Sequence, residues 1–202
     1  FTAPTTAEST RSHLNTGTAA GLDTDIAAAL CRASTRRGFD PFIDIDWDAS
    51  AATLGGYSDF MAKEIAEQPE AIDRLLKAHV TDKGIKLDEL SMTEDELAAV
   101  DRIYLIACGT SYHVGLIART LIQTWAHVPV ICDYASEFNY AQDVLVTDHT
   151  LCVIITQSGE TADTLTAARR MRGMGCKVFA VTNVLGSSAA RESDGTLYVQ
   201  AG

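Results

Sequence analysis

The sequence predicts an α/β fold: a three-layer α/β/α arrangement around a five-stranded parallel sheet. Two observations carry that prediction. First, short apolar runs at 102–107, 128–134, 150–155, 177–182 and 195–200 alternate with helix-compatible stretches at 112–126, 136–141, 161–174 and 187–192. Such alternation implies parallel strands joined by crossover helices on both faces of one sheet. Second, two of the strands lead into the same kind of turn. Arg102–Ala107 is followed by Cys108-Gly109-Thr110-Ser111 and an amphipathic stretch, Tyr112–Ala126. Leu151–Ile155 is followed by Thr156-Gln157-Ser158-Gly159-Glu160 and a helical run, Thr161–Met174, with Gly173 and Gly175 as stops. The run Leu151–Ile155 is too short for a helix and rich in β-branching, so it suits a strand buried on both faces.

Ahead of these units the first segment carries no strong core pattern. Residues 1–43 are rich in Thr, Ala and Ser, with a short helix possible over 24–37. Residues 1–46 read as a linker or the remnant of a preceding domain, and 47–202 as the folded domain. The absence of an initiator Met hints at a piece of a longer chain. Asp44, Asp46 and Asp48 alternate as in a calcium loop, but Ala49 and Gly55 stand where such a loop needs Gly and Glu, so no metal site is read there. From Tyr57 to Ala78 the pattern is helical, with Phe60, Met61, Ile65, Ile72, Leu75 and Leu76 apolar. Pro69 predicts two helices there, or one with a break near Gln68. Thr93-Glu94-Asp95-Glu96 matches a capping box and starts a short helix toward Val100.

The chemistry follows from the turns. A strand end, a turn bearing hydroxyls and glycine, and a helix start bring backbone N–H groups and Ser/Thr hydroxyls around one point. The helix start adds about half a positive charge, so the site suits an anion. Two such turns at the carboxyl ends of parallel strands face one crevice. The ligand class this predicts is a small phosphate ester.

Composition narrows the alternatives. At 47% hydrophobic and 21% charged the chain is globular, and its net charge of −11 with pI near 4.7 argues against a nucleic-acid partner. No apolar run approaches the roughly 18 residues of a membrane span, and the N-terminus is no signal peptide. Cys31, Cys108, Cys132, Cys152 and Cys176 are scattered, with no zinc-binding spacing. A soluble protein of the reducing cytoplasm is expected, without membrane, metal or cofactor, with Cys132 and Cys152 as buried thiols.

Other readings of the marked residues are weaker. A Cys108–His113 nucleophile lacks a third orienting group, and a packing or ligand-contacting thiol fits better. Ser158 is no nucleophile elbow, since Thr156 and Glu160 occupy the places of its two glycines. Glu160 and Asp163 read as first-turn acids that complement the helix dipole. Trp47 and Trp125 read as core or interface residues. The serines of Asn183-Val184-Leu185-Gly186-Ser187-Ser188 are candidate N-caps.

Several blocks also resemble a known family. They are Ala107-Cys108-Gly109-Thr110-Ser111-Tyr112, Ala135-Ser136-Glu137-Phe138, Gln157-Ser158-Gly159-Glu160-Thr161-Ala162-Asp163-Thr164 and Gly186 to Asp194. Upstream, Trp47-Asp48-Ala49, Gly55-Gly56-Tyr57 and Lys63 to Pro69 extend the likeness over roughly 47–202. Together they resemble the glutamine–fructose-6-phosphate aminotransferases, or glucosamine-6-phosphate synthases, and within them the first of two sugar isomerase (SIS) domains. The resemblance implies a flavodoxin-like SIS fold and the sugar-phosphate-binding half of the isomerase part. The parent enzyme would convert fructose 6-phosphate and glutamine to glucosamine 6-phosphate and glutamate, as a homodimer or higher homo-oligomer. By resemblance, Gly109, Thr110, Ser111, Gln157, Ser158 and Thr161 contact the sugar phosphate, with Cys108 beside them and Thr156 in place of the usual Ser. The family's acid–base Glu, ring-opening Lys and partner-subunit His belong to the second SIS domain, so no catalytic residue is expected in this chain. A non-catalytic SIS regulator and a stand-alone phosphosugar isomerase are the competing readings.

Overall fold

The computed structural model describes residues 54–202 apart from 83, 88, 89, 200 and 202. In chain order it runs α1 (Phe60–His79), β1 (Val80–Thr81), β2 (Gly84–Ile85), α2 (Glu94–Ala98), β3 (Arg102–Ala107), α3 (Thr110–Ala126), β4 (Val130–Tyr134), α4 (Ala135–Tyr140), β5 (Thr150–Thr156), α5 (Ala162–Gly173), β6 (Lys177–Thr182), α6 (Ser188–Glu192) and β7 (Gly195–Tyr198). The expectations for the 1–46 segment, the 24–37 helix, Cys31, the Asp44–Asp48 stretch and Trp47 fall outside the described residues.

Helix α1 corrects one prediction: it passes Pro69 without a break. Proline removes a single intrahelical bond, the one to the carbonyl of Ile65. Each flank is more than two turns long, and Asp59 caps the start by accepting the Ala62 N–H at 2.8 Å. The apolar residues that predicted this helix (Phe60, Met61, Ile65, Ile72 and Leu76) lie exposed along it. The small antiparallel hairpin β1–β2, with Val80 opposite Ile85, is an addition that the pattern did not predict. The capping box forms as read: Thr93 Oγ1 accepts the Glu96 N–H at 3.2 Å, and the Glu96 carboxylate accepts the Thr93 N–H at 2.8 Å.

The five-stranded sheet has the order β4-β3-β5-β6-β7, all neighbours parallel. Renumbered within the sheet this is 2-1-3-4-5, the flavodoxin-like order, whose switch point lies between β3 and β5. Strand alternation then divides the side chains. Tyr104, Ile106, Cys152, Ile154, Val178 and Ala180 face α4, α5 and α6, where they bury Phe138, Leu165 and Met171. Full burial of each of these larger side chains contributes about 1.5–3 kcal/mol. On the opposite face α3 lies close at Gly115, where a Cβ would stand 2.8 Å from Cys132 Sγ and 3.7 Å from Leu105 Cβ.

One residue expectation changes here and another narrows. Cys152 is buried as predicted, but Cys132 is only half-buried, because its strand β4 is an edge strand that α3 covers in part. Of the two readings of Trp125, its 74% exposure excludes the core and leaves the interface; on α3 it continues an exposed row with Val114, Ile117 and Leu121. No described helix is long and apolar enough to cross a membrane.

Candidate functional site

The two predicted turns meet at the switch point. Residues 108 and 109 leave the carboxyl end of β3, and 157–161 leave that of β5; because β3 and β5 are paired, both turns open on the same edge. Between them lies a depression of about 300 Å³ lined by Cys108, Gly109, Thr110, Ser111, Ile155, Thr156, Gln157, Ser158 and Thr161. All eight residues singled out by sequence line it. Ile155 is the one addition, a strand residue whose face could be assigned only once the register was known.

Local backbone geometry explains the residue types. Gly109 is the N-cap of α3 with φ 57° and ψ −136°, a conformation open in practice to glycine alone. The helix therefore starts two residues sooner than its apolar pattern implied, and Thr110 and Ser111 stand in its first turn. Neither Gly109 nor Thr161, the N-cap of α5, makes a side-chain capping bond. Two helix starts thus present uncapped first-turn N–H groups beside one depression, each with the positive end of its dipole.

The hydroxyls are arranged for donation. Ser158 Oγ accepts the Glu160 N–H at 3.2 Å, which uses a lone pair and leaves the O–H available to a ligand. Thr156, 5% exposed, accepts the Gly159 N–H at 3.2 Å and pairs with Thr161 Oγ1 at 3.3 Å, so it shapes the turn from below. Cys108 Sγ accepts from Thr164 Oγ1 at 3.7 Å, while His113 is exposed and stacks edge-on with Tyr112. The thiol is therefore held by α5 and not by a histidine base. The lining contains hydroxyls, an amide, a thiol and N–H groups, and no carboxylate, lysine or histidine. Such a set suits an anion, and its groups are donors more than acid–base partners.

The third loop, between β6 and α6, carries residues that sequence reasoning undervalued. Gln157 O accepts the Asn183 N–H at 3.1 Å and lies 3.4 Å from Thr182 Oγ1. Gly159 O accepts the Ala189 N–H at 2.9 Å. The Glu160 carboxylate accepts the Ser188 N–H at 2.7 Å, and that bond holds its pKa below the ordinary value. Ser187 occupies the N-cap position of α6, yet its hydroxyl makes no cap. Glu160 thus complements the start of α6, a neighbour, in addition to lying ahead of its own helix. No sequence signal announced this, because it depends on the β5–β6 register.

A second cleft, about 340 Å³, lies at the amino edge of the sheet and includes Met92, Val100, His149 and Lys177. Across it Lys177 Nζ donates to Glu96 Oε1 at 2.8 Å, which lowers the Glu96 carboxyl to about 2. It shares no residue with the predicted site.

Comparison with known proteins identifies the family. The SIS domain profile matches residues 96–202, which contain both turns and all five sheet strands. The glutamine–fructose-6-phosphate aminotransferase (isomerizing) of Clostridium acetobutylicum is 49% identical over 159 residues, covering 78% of this chain and 26% of the relative. That of Mycobacterium tuberculosis strain H37Rv is 48% identical over 166 residues, covering 82% and 26%. The chain therefore spans about a quarter of the length of the curated relatives it matches. Among solved structures, the C-terminal domain of glucosamine-fructose-6-phosphate aminotransferase from Francisella tularensis superposes with a TM-score of 0.66 at 38% identity, over 74% of this chain and 42% of that one. Glucosamine-6-phosphate deaminase from Thermotoga maritima, at 18% identity and a TM-score of 0.55 over 69% and 40%, shares the fold. With the profile spanning more than half of the residues and both strand-end turns inside it, the chain belongs to the SIS domain family.

Proposed function

We propose that this chain is the sugar-phosphate-binding half of the isomerase part of an enzyme that makes glucosamine 6-phosphate and glutamate from fructose 6-phosphate and glutamine. The observation that carries the reading is the depression at the switch point, whose lining is the set Cys108, Gly109, Thr110, Ser111, Ile155, Thr156, Gln157, Ser158 and Thr161. The phosphate sits against the first-turn N–H groups of α3 and α5, with Ser111, Ser158 and Thr161 donating their hydroxyls. A chain of net charge −11 can hold this dianion because the donors are neutral dipoles fixed in place, with no cation required. Gln157 reaches the sugar end, and Cys108 lies on the β3 side of the cradle.

A lining without an acid–base pair favours this reading over a stand-alone isomerase, which needs one in its own pocket. Fructose 6-phosphate and glucose 6-phosphate are expected to raise the thermal unfolding temperature of the chain, while fructose and glucose leave it unchanged. Equal effects from the phosphorylated and plain sugars, or none from any, refute the cradle. The 202-residue chain supplied with ammonia and fructose 6-phosphate is expected to form no glucosamine 6-phosphate. Turnover above background in a preparation free of host enzyme would reverse that.

A further inference from the structure

Glu160 stands in the turn between Ser158 and Thr161, which both line the proposed phosphate cradle, and a bare carboxylate there works against binding an anion. Its position has a compensating geometry. Its Oε1 leaves the turn sideways to accept the Ser188 N–H at 2.7 Å. One residue earlier, the Gly159 carbonyl accepts the Ala189 N–H at 2.9 Å. The two bonds sew the turn 156–161 to the start of α6. They are backed by close packing, since the Ser187 side chain, 3% exposed, fills the space a Cβ at Gly159 would need.

The start of α6 is itself well fixed. Glu192 at its far end receives a two-pronged bond from Arg169 of α5, 2.6 Å from Nε and 2.7 Å from Nη2. Ala189 is fully buried in the core. The latch therefore ties the turn to a rigid neighbour, and the negative charge is absorbed by a backbone N–H and by nearby Arg191.

Resting on the sugar-phosphate reading, we propose that Glu160 is a positioning residue: it fixes the turn 156–161 in its ligand-binding shape by capping α6, and does not itself touch the ligand. An electrostatic role and a positioning role predict opposite things for two variants. Glu160→Ala and Glu160→Gln both remove the charge, so a purely electrostatic role makes them alike, and both tighten binding of an anion. A positioning role separates them, because Gln keeps an oxygen that accepts the Ser188 N–H.

The test measures hydrogen exchange over residues 156–165 and 183–190 in the ligand-free full chain, and calorimetric titration with fructose 6-phosphate. Glu160→Ala is expected to speed exchange in both segments while strands β3 and β5 stay protected, and to weaken binding by about tenfold. Glu160→Gln stays within about twofold of wild type in both readouts. Unchanged exchange in Glu160→Ala, faster exchange with undiminished affinity, or equal effects of the two variants would each overturn the proposal. If the wild-type chain binds no fructose 6-phosphate, the sugar-phosphate reading fails on its own, and exchange in the free chain still decides whether Glu160 holds the turn.

Discussion

Replacing Gly159 by alanine tests the packing beneath the candidate site directly. Gly159 has φ +69°, and an added Cβ would stand 2.1 Å from Ser187 Oγ, 2.4 Å from Ser187 Cβ and 3.0 Å from Thr182 Oγ1. Two costs follow. The left-handed backbone costs an alanine about 1–2 kcal/mol. The overlap forces Ser187 or the turn to shift, which costs about 1–3 kcal/mol. Gly159→Ala is therefore expected to lose about 2–5 kcal/mol, a large part of the roughly 5–15 kcal/mol that stabilises a typical domain. Urea unfolding followed by circular dichroism measures it. The second arm separates the terms: Ser187→Gly removes the two nearest atoms, and its hydroxyl caps nothing, so alone it costs only a few tenths of a kcal/mol. In the double variant the overlap term is recovered and the backbone term remains, giving a coupling of about 1–3 kcal/mol. A Gly159→Ala loss below about 0.5 kcal/mol, or a double variant no more stable than Gly159→Ala, refutes the geometry of the turn.

Ser158→Ala and Thr161→Val each delete one hydroxyl bond to a charged group, so each is expected to weaken fructose 6-phosphate binding by about 1.5–3 kcal/mol, roughly tenfold to a hundredfold. Titration calorimetry decides this, and unchanged affinity in either variant removes that residue from the cradle. At the opposite edge of the sheet, Glu96 has its carboxyl lowered from the ordinary 4.5 to about 2, chiefly by its hydrogen bond with Lys177. A depressed folded-state pKa contributes stability that is present above the unfolded value and lost as pH falls through the folded one. The wild type is accordingly expected to unfold at a higher temperature than Glu96→Gln at pH 6, with the gap closing between about pH 4.5 and 2. A gap that stays constant over that range shows that the Lys177 pair is not its source.

How much of this could be read from the chain depends on the range of the interactions involved. The strands were legible because Leu151–Ile155 and its partners are buried on both faces and so carry continuous apolar runs, a purely local signal. The turns were legible because glycine suits the positive-φ backbone at 109 and 159, and because Ser and Thr hydroxyls cluster beside helix starts. Pro69 misled because the rule against proline inside a helix weighs one missing bond and not the two flanking segments that fold on either side of it. Trp125 stayed open between core and interface because hydrophobicity reports what a residue favours, not which face its helix turns to the sheet; α3 packs through Gly115, and Trp125 lies outside that contact. Glu160 misled most instructively. Within its own segment it is an ordinary acid ahead of a helix, and its partner lies 28 residues on, at Ser188. Only the pairing of Thr156 with Thr182 brings the two loops side by side. A side chain whose role is set by strand register leaves no periodic or compositional trace, so the residues that line the depression could be found locally, while the contacts behind them required the fold.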